Sequence, residues 1–174
     1  GAGSDELLRL TTQLLLDPDD AVIDCPPTFG MYAFFTELAG ARVINVPRRD
    51  DFSLDLDAIE AAVRRERPKL LVLCSPNNPT GTCLDEGALR TVLDQHTGIV
   101  LLDQAYVEFG GFSAVGLLAE YPNLIITRTF SKAFSGAGLR LGYLLGSPAI
   151  VSEITKAKLP YNLNFFSEYV ARLL

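Results

Sequence analysis

The sequence has few of the residues on which metal centres, disulfide frameworks and histidine-based catalysis depend. Its single histidine, His96, excludes a mechanism that requires a pair of histidines from this chain. Its three cysteines, Cys25, Cys74 and Cys83, are an odd number and contain no CxxC spacing. A disulfide framework and a metal site are therefore not expected, and the composition favours a reducing, cytoplasmic setting.

Positive charge and long apolar runs are also scarce. Lysine and arginine together number 15 against 21 aspartates and glutamates, which gives a formal net charge of −6. A mildly acidic chain without a basic block is not expected to bind nucleic acid, and no apolar run is long enough to cross a membrane. The 174 residues, 48% of them apolar, are enough for one domain with a sizeable core.

Six short apolar segments alternate with amphipathic segments. The predicted strands are residues 21–24, 42–46, 70–74, 98–103, 124–127 and 141–145. The predicted helices are residues 5–16, 29–39, 55–67, 85–95, 148–158 and 168–174. This alternation predicts an α/β fold with a doubly wound, mostly parallel sheet and helices on both of its faces. Ligands of such sheets bind at the carboxyl ends of the strands, so the residues that follow each strand are the candidates for a site.

Amide and carboxylate side chains follow two neighbouring predicted strands. Asn77 and Asn78 lie in a turn rich in proline and glycine after strand 70–74. Such a turn either presents fixed amides to a ligand or simply caps the next helix. Asp103 ends strand 98–103, where a buried carboxylate is costly unless it meets a cation. For Asp103 alone, an ion pair with an arginine is the simpler interpretation.

Lys132 follows the next strand and is flanked by Phe130, Ala133 and Phe134. Apolar neighbours remove water from an amine, which favours the neutral form that attacks a carbonyl group. The alternative is a surface lysine whose ammonium stays in water.

Two segments suit a phosphate group. Ser131 and Arg140 supply a hydroxyl and a guanidinium around a Gly-Ala-Gly run. Ser4 and Asp5 follow Gly3 at the start of the first predicted helix, where free N–H groups favour an anion. The amine, acid, phenol, amide and phosphate-binding groups at successive strand ends match the functional groups of a single ligand, pyridoxal 5′-phosphate.

Five segments together resemble the fold-type I aminotransferases that use pyridoxal phosphate. They follow the family order and span nearly the whole chain. They are GSDE at 3–6, CPPTFGMY at 25–32, CSPNNPTG at 74–81, DQAY at 103–106 and TFSKAF at 129–134 with GLR at 138–140. The SPNNPTG and SKAF–GLR pair is highly specific for the family, and CPPTFGMY is most similar to its histidinol-phosphate aminotransferase branch.

The resemblance implies a role for nine residues. Lys132 would form a Schiff base with the cofactor aldehyde and move a proton, and Asp103 would keep the pyridine nitrogen protonated. Tyr106 and Asn78 would hydrogen-bond the ring's 3-oxygen, and Phe29 would stack on the ring. The phosphate would be held by Ser4, Asp5, Ser131 and Arg140. Two positions depart from the usual pattern, since Gln104 stands where the family usually has Glu and Phe29 stands where it often has Tyr.

The resemblance also implies the setting of the chain. Residues 1–174 would form the large, cofactor-binding domain of a longer, homodimeric cytoplasmic enzyme, incomplete at both ends and without the small domain. Its small-molecule reaction would be histidinol phosphate plus 2-oxoglutarate giving imidazole acetol phosphate plus glutamate. Three alternatives stay open: an aromatic or broad-specificity aminotransferase, a pyridoxal phosphate-dependent decarboxylase of the same fold, and an inert fragment that folds or binds cofactor without turnover.

Overall fold

Residues 1–173, which the computed structural model describes, form six strands and six α-helices. The strands are β1 (Ala21–Asp24), β2 (Arg42–Asn45), β3 (Leu70–Cys74), β4 (Ile99–Asp103), β5 (Leu124–Thr129) and β6 (Gly142–Leu145). The helices are α1 (Ser4–Leu15), α2 (Met31–Leu38), α3 (Leu56–Glu66), α4 (Glu86–Gln95), α5 (Pro148–Ala157) and α6 (Phe165–Ala171). No helix in this described part is long and apolar enough to cross a bilayer.

The six strands form one sheet in the order β2-β1-β3-β4-β5-β6. All neighbouring pairs are parallel except β5 and β6, which are antiparallel. The register places Cys74 beside Asp103, and Asp103 beside Thr127. The predicted mostly parallel α/β sheet is confirmed, and its register brings the carboxyl ends of β3, β4 and β5 to one edge.

Helices cover both faces of the sheet, as the sequence predicts. Leu71 and Leu73 of β3 pack with the buried apolar residues of α3 and α4. Leu70 and Val72 of the same strand pack on the opposite face with apolar residues of α1, α2 and α5. Successive strand side chains point to opposite faces, so a strand covered on both sides must be apolar throughout. All five residues of β3 are buried for this reason.

Side-chain caps fix where three of the helices begin. The carboxylates of Asp55 and Asp85 accept hydrogen bonds from the backbone N–H groups of Ala58 and Ala88 at the starts of α3 and α4. Asn164 caps α6 in the same way, so this helix begins at Phe165 rather than at the predicted residue 168. Its predicted end at residue 174 lies outside the described residues.

Two other boundaries differ from the prediction by two residues, and the remaining differences are of one residue. Helix α2 begins at Met31, with Gly30 as its N-cap, rather than at the predicted residue 29. Strand β5 runs two residues beyond the predicted end, to Thr129, because it continues to pair with β6. These two residues bring the backbone of β5 to the segment that carries Ser131 and Lys132.

Candidate active site at the carboxyl edge of the sheet

One cleft brings together all nine residues that the sequence singles out. It lies at the carboxyl ends of β3, β4 and β5, beside the N-terminus of α1. Its lining residues are Ser4, Asp5, Phe29, Tyr32, Cys74, Asn78, Asp103, Ala105, Tyr106, Thr129, Ser131, Lys132 and Arg140. Tyr32, Cys74, Ala105 and Thr129 line the cleft in addition to the nine.

Asp103 lies at the floor of the cleft in a network of neutral hydrogen-bond donors. The Tyr32 hydroxyl donates to Oδ2 of Asp103 at 2.7 Å. The Thr127 hydroxyl and the backbone N–H of Ala105 donate to Oδ1 at 3.1 and 3.0 Å. The three bonds fix the orientation of a carboxylate that is 3% exposed. Such a carboxylate is held ready for a cationic partner.

The environment of Asp103 settles one alternative from the sequence. No lysine or arginine within residues 1–173 forms an ion pair with it, so the expected pairing with an arginine is wrong. Burial raises the pKa of Asp103, and its three hydrogen bonds offset part of that rise. Burial and the charge of Asp103 also raise the pKa of the Tyr32 hydroxyl. This hydroxyl therefore stays protonated and continues to donate.

Lys132 and Tyr106 face each other across the cleft. The Nζ atom of Lys132 lies 5.2 Å from the centre of the Tyr106 ring, within the range of a cation–π contact. The expected removal of water by apolar neighbours is wrong for this chain, because Lys132 is exposed. Phe130 instead packs on Phe134 and Tyr143, with ring centres 5.2 and 5.8 Å apart.

The two asparagines of the SPNNPTG turn serve different purposes. The Asn77 side chain is buried, donates to the carbonyl of Pro27 at 3.0 Å and accepts from the hydroxyl of Thr28 at 2.8 Å. It therefore fastens this turn to the CPPTFGMY segment. Asn78 lines the cleft and carries the amide that a ligand can reach.

The N-terminus of α1 and the guanidinium of Arg140 form one cationic corner of the cleft. Nη1 of Arg140 contacts the Ser131 hydroxyl at 3.3 Å, and Nη2 lies 3.5 Å from Oδ2 of Asp5. A Cβ atom on Gly3 would lie 2.6 Å from Nη2 of Arg140, so any other residue would displace the guanidinium from its place over the start of the helix. Gly3 also has a φ of 83°, which favours glycine.

This corner has the properties of an anion site. No side chain in the described part of the chain caps the N-terminus of α1, which leaves its first N–H groups available. Backbone N–H groups, the helix dipole and a guanidinium together suit a phosphate. Ser4 and Ser131 lie at the same corner. We name this corner, made by the start of α1 with Ser131 and Arg140, the anion cradle.

Gln104 fills a role that a glutamate could fill only in part. Its side chain is 1% exposed, and its Oε1 accepts a hydrogen bond from Nη2 of Arg128 at 2.8 Å. Its Nε2 donates to the carbonyl of Phe112 at 2.8 Å. A carboxylate accepts but cannot donate when ionised. The neutral amide therefore suits this position, and Gln104 acts behind the cleft rather than in it.

Sequence reasoning missed the donors that hold Asp103. Tyr32 is 71 positions from Asp103 and lies on α2, where its spacing is that of an ordinary core residue. Thr127 was taken only as the end of a strand. Strand register could have found Thr127, because β5 places it directly beside Asp103. The reach of the Tyr32 hydroxyl depends on how α2 packs on the sheet.

Comparison with known proteins identifies the family of the chain. A family model described as aminotransferase class I and II matches residues 1–174. The chain is 45% identical over 171 residues to a histidinol-phosphate aminotransferase of Roseiflexus castenholzii, covering 98% of this chain and 46% of that protein. It is 46% identical over 172 residues to a chloroplastic histidinol-phosphate aminotransferase of Nicotiana plumbaginifolia, covering 98% and 41%.

A solved structure gives the same result for the fold. The histidinol-phosphate aminotransferase of Sinorhizobium meliloti, in complex with pyridoxal-5′-phosphate, superposes with a TM-score of 0.89 at 29% identity. The alignment covers 96% of this chain and 46% of that one. The chain thus spans less than half the length of the relatives described here. The match along all 174 residues shows that the chain belongs to the aminotransferase class I and II family.

Proposed function

We propose that the protein is a pyridoxal phosphate-dependent aminotransferase that acts on histidinol phosphate and 2-oxoglutarate and yields imidazole acetol phosphate and glutamate. The observation that carries the proposal is the convergence of Lys132, Asp103 and the anion cradle in one cleft. The two histidinol-phosphate aminotransferases at 45% and 46% identity support the choice of substrate.

The residues present fit pyridoxal phosphate on the evidence of this chain alone. Asp103 is a buried carboxylate whose partners within the described residues are neutral, so it suits a protonated ring nitrogen. A Cβ on Gly3 would press on the guanidinium of Arg140, so the glycine leaves this cation in place at the anion cradle, as a phosphate requires. Lys132 supplies an amine on the same cleft.

Each group of the chain then has a defined task. Pyridoxal phosphate, when bound, supplies an aldehyde and an electron-withdrawing ring that stabilises negative charge at the substrate α-carbon. Asp103 would hold a proton on the ring nitrogen, and Tyr106 and Asn78 would bind the ring's 3-oxygen. Phe29 would pack on the ring and exclude water from that side.

Lys132 has two successive tasks. Its Nζ would hold the cofactor through the aldehyde. When a substrate amine replaces it there, the freed amine of Lys132 would carry a proton between the substrate α-carbon and the C4′ carbon of the cofactor. The anion cradle would hold the cofactor in one position during both tasks, because a phosphate bound by Arg140 and by the start of α1 restricts rotation of the cofactor.

We also propose that residues 1–174 form the cofactor-binding domain of a longer, homodimeric, cytoplasmic enzyme. The greater length of the relatives supports the first part. Exposed large apolar side chains concentrated between residues 159 and 173 support a subunit interface, because such surface is usually covered. They are Leu159, Tyr161, Phe165, Phe166, Tyr169 and Leu173. The three cysteines are free, which agrees with a reducing compartment.

The test uses the full-length protein loaded with pyridoxal phosphate. Borohydride reduction followed by peptide mapping should place the cofactor on Lys132, and Lys132→Ala should lose both this label and turnover. Lys156→Ala, on exposed helix α5, is the matched control and should keep both.

The substrate is tested by comparing amino donors at equal concentration. Glutamate should form from 2-oxoglutarate with histidinol phosphate at a much higher rate than with phenylalanine or tyrosine. A preference for the aromatic donors would favour a broad-specificity aminotransferase, and release of carbon dioxide from a phosphorylated amino acid would favour a decarboxylase. A protein that binds cofactor but forms no product with any donor would be an inert fragment.

A further inference from the structure

The segment that leads into α6 contacts two parts of the anion cradle, the start of α1 and the backbone next to Arg140. Asn162, in the loop before α6, reaches the first turn of α1. Ser167, in the first turn of α6, reaches the segment that ends in Arg140. Neither residue lines the cleft. One short segment therefore joins two parts of the cradle that are more than 130 positions apart in the chain.

Asn162 fixes the carboxylate of Glu6. Its Nδ2 donates to Oε2 of Glu6 at 2.6 Å, and the backbone N–H of Ala2 donates to the same oxygen at 2.6 Å. Its Oδ1 accepts from Nζ of Lys158 at 2.8 Å. Glu6 belongs to the first turn of α1, where a carboxylate competes with a bound anion for the helix N–H groups. Two donors outside the cleft keep this competitor away from the cradle.

Ser167 fixes the backbone just before Arg140. Its hydroxyl donates to the carbonyl of Leu139 at 2.6 Å, and the side chain is 1% exposed. Leu139 ends the short 3₁₀ turn Ala137–Leu139, so its carbonyl depends on a partner outside that turn. Arg140 follows with a φ of 47°, a conformation that a neighbouring contact must hold in place.

We propose that Asn162 and Ser167 are positioning residues that set the anion cradle for the cofactor phosphate, a role that rests on the proposed function. Asn162 holds Glu6 away from the start of α1, and Ser167 holds the backbone from which Arg140 extends. Both act on the phosphate end of the cleft, while Lys132 and Asp103 are held by other contacts. Loss of either residue should therefore weaken ligands that carry a phosphate and leave other ligands unaffected.

The experiment compares pyridoxal phosphate with pyridoxal, which lacks the phosphate, by titrating the cofactor-free full-length protein and following absorbance. Ser167→Ala removes the bond to the carbonyl of Leu139 and the bond accepted from Nδ2 of Asn164, and it should weaken pyridoxal phosphate binding roughly threefold to tenfold. Asn162→Asp keeps the contact to Lys158 but sets two carboxylates against each other, so it should weaken binding more than Asn162→Ala. Pyridoxal affinity should change less than about twofold in every variant. Ser152→Ala, an exposed serine on α5, is the matched control.

The outcomes separate this role from the proposed function. Selective loss of pyridoxal phosphate affinity, greatest in Asn162→Asp, supports the positioning role. Equal weakening of both ligands would show a general structural effect and would overturn it, as would unchanged affinity for both. If the unaltered protein binds pyridoxal and pyridoxal phosphate with equal affinity, the assignment of the anion cradle as the phosphate site is wrong. Failure of the unaltered protein to bind either ligand would overturn the proposed function.

Discussion

The hydroxyl of Tyr32 should matter most when Asp103 is charged. It donates to Oδ2 of Asp103 at 2.7 Å, and both side chains are 3% exposed, so water cannot readily replace the bond in Tyr32→Phe. A hydrogen bond to a charged acceptor contributes about 1.5–3 kcal/mol, and one to a neutral acceptor about 0.5–1.5 kcal/mol. The variant should therefore lose about 1.5–3 kcal/mol of unfolding free energy above the pKa of Asp103 and less below it.

The sign of the pH dependence follows from burial. The pKa of Asp103 is raised in the folded protein, so the folded state holds this proton more tightly than the unfolded chain does. The contribution of Asp103 to stability therefore falls as pH rises through the window between the two pKa values. Tyr32→Phe removes a bond that favours the charged form, which widens this window and makes the total fall in stability larger.

The assay is urea unfolding of the cofactor-free protein across this pH range, in the wild type and in an Asp103→Asn background. In that background the acceptor is neutral at every pH, so the loss caused by Tyr32→Phe should shrink to about 0.5–1.5 kcal/mol and become independent of pH. Tyr121→Phe removes a hydroxyl that donates to the exposed Asp94 at 2.9 Å, where water can replace the bond, and should change little. An equal loss in both backgrounds would refute the reasoning.

Three further substitutions test other parts of the site. Gly3→Ala should weaken pyridoxal phosphate binding and lower the melting temperature, because its Cβ would lie 2.6 Å from Nη2 of Arg140 at a φ of 83°; unchanged affinity would contradict the cradle geometry. Burial raises the pKa of Asp24 from 3.8 to about 6, so the free energy of unfolding should fall as pH rises from about 4 to 6. Asp24→Asn should remove this fall from the urea-unfolding profile and should be more stable than the wild type by up to about 3 kcal/mol at neutral pH. Gln104→Glu should lower the free energy of unfolding by about 1–2 kcal/mol near neutral pH, because its carboxylate keeps the bond from Arg128 but cannot donate to the carbonyl of Phe112. The loss should become smaller in acid, where the carboxyl group is protonated. A stabilised variant would show that the ion pair with Arg128 dominates.

The sequence predicts the strands well because burial on both faces leaves a clear pattern. Strand β3 is apolar at all five positions and was predicted with its observed bounds, as was β1. The positions of the site residues follow from the same pattern, since parallel strands expose their carboxyl ends at one edge. The roles of those residues toward a cofactor stay predictions that depend on the resemblance and on the experiments above.

The contacts that tune the site were not predictable in the same way. The bond from Tyr32 to Asp103 depends on the packing of α2 against the sheet, and nothing in the local sequence marks it. Lys132 illustrates the opposite error. Its apolar neighbours in sequence suggested a lysine shielded from water, but Phe130 packs on other aromatic rings and Lys132 is exposed. Residues that are adjacent to a lysine in the sequence of a loop need not contact its side chain in the folded protein.

The groups that converge on the cleft are costly to the protein alone, and this cost argues for a ligand. Asp103 is a buried carboxylate with neutral donors, and the start of α1 carries N–H groups without a side-chain cap among the described residues. Each group gains a partner only from a ligand with a cationic ring nitrogen at one end and an anion at the other. Binding such a ligand should stabilise the folded state by an amount that rises with the logarithm of ligand concentration above Kd. It should also lower the pKa of Asp103 and so reduce the loss of stability with rising pH, a reversal that an apolar ligand in the same cleft could not produce.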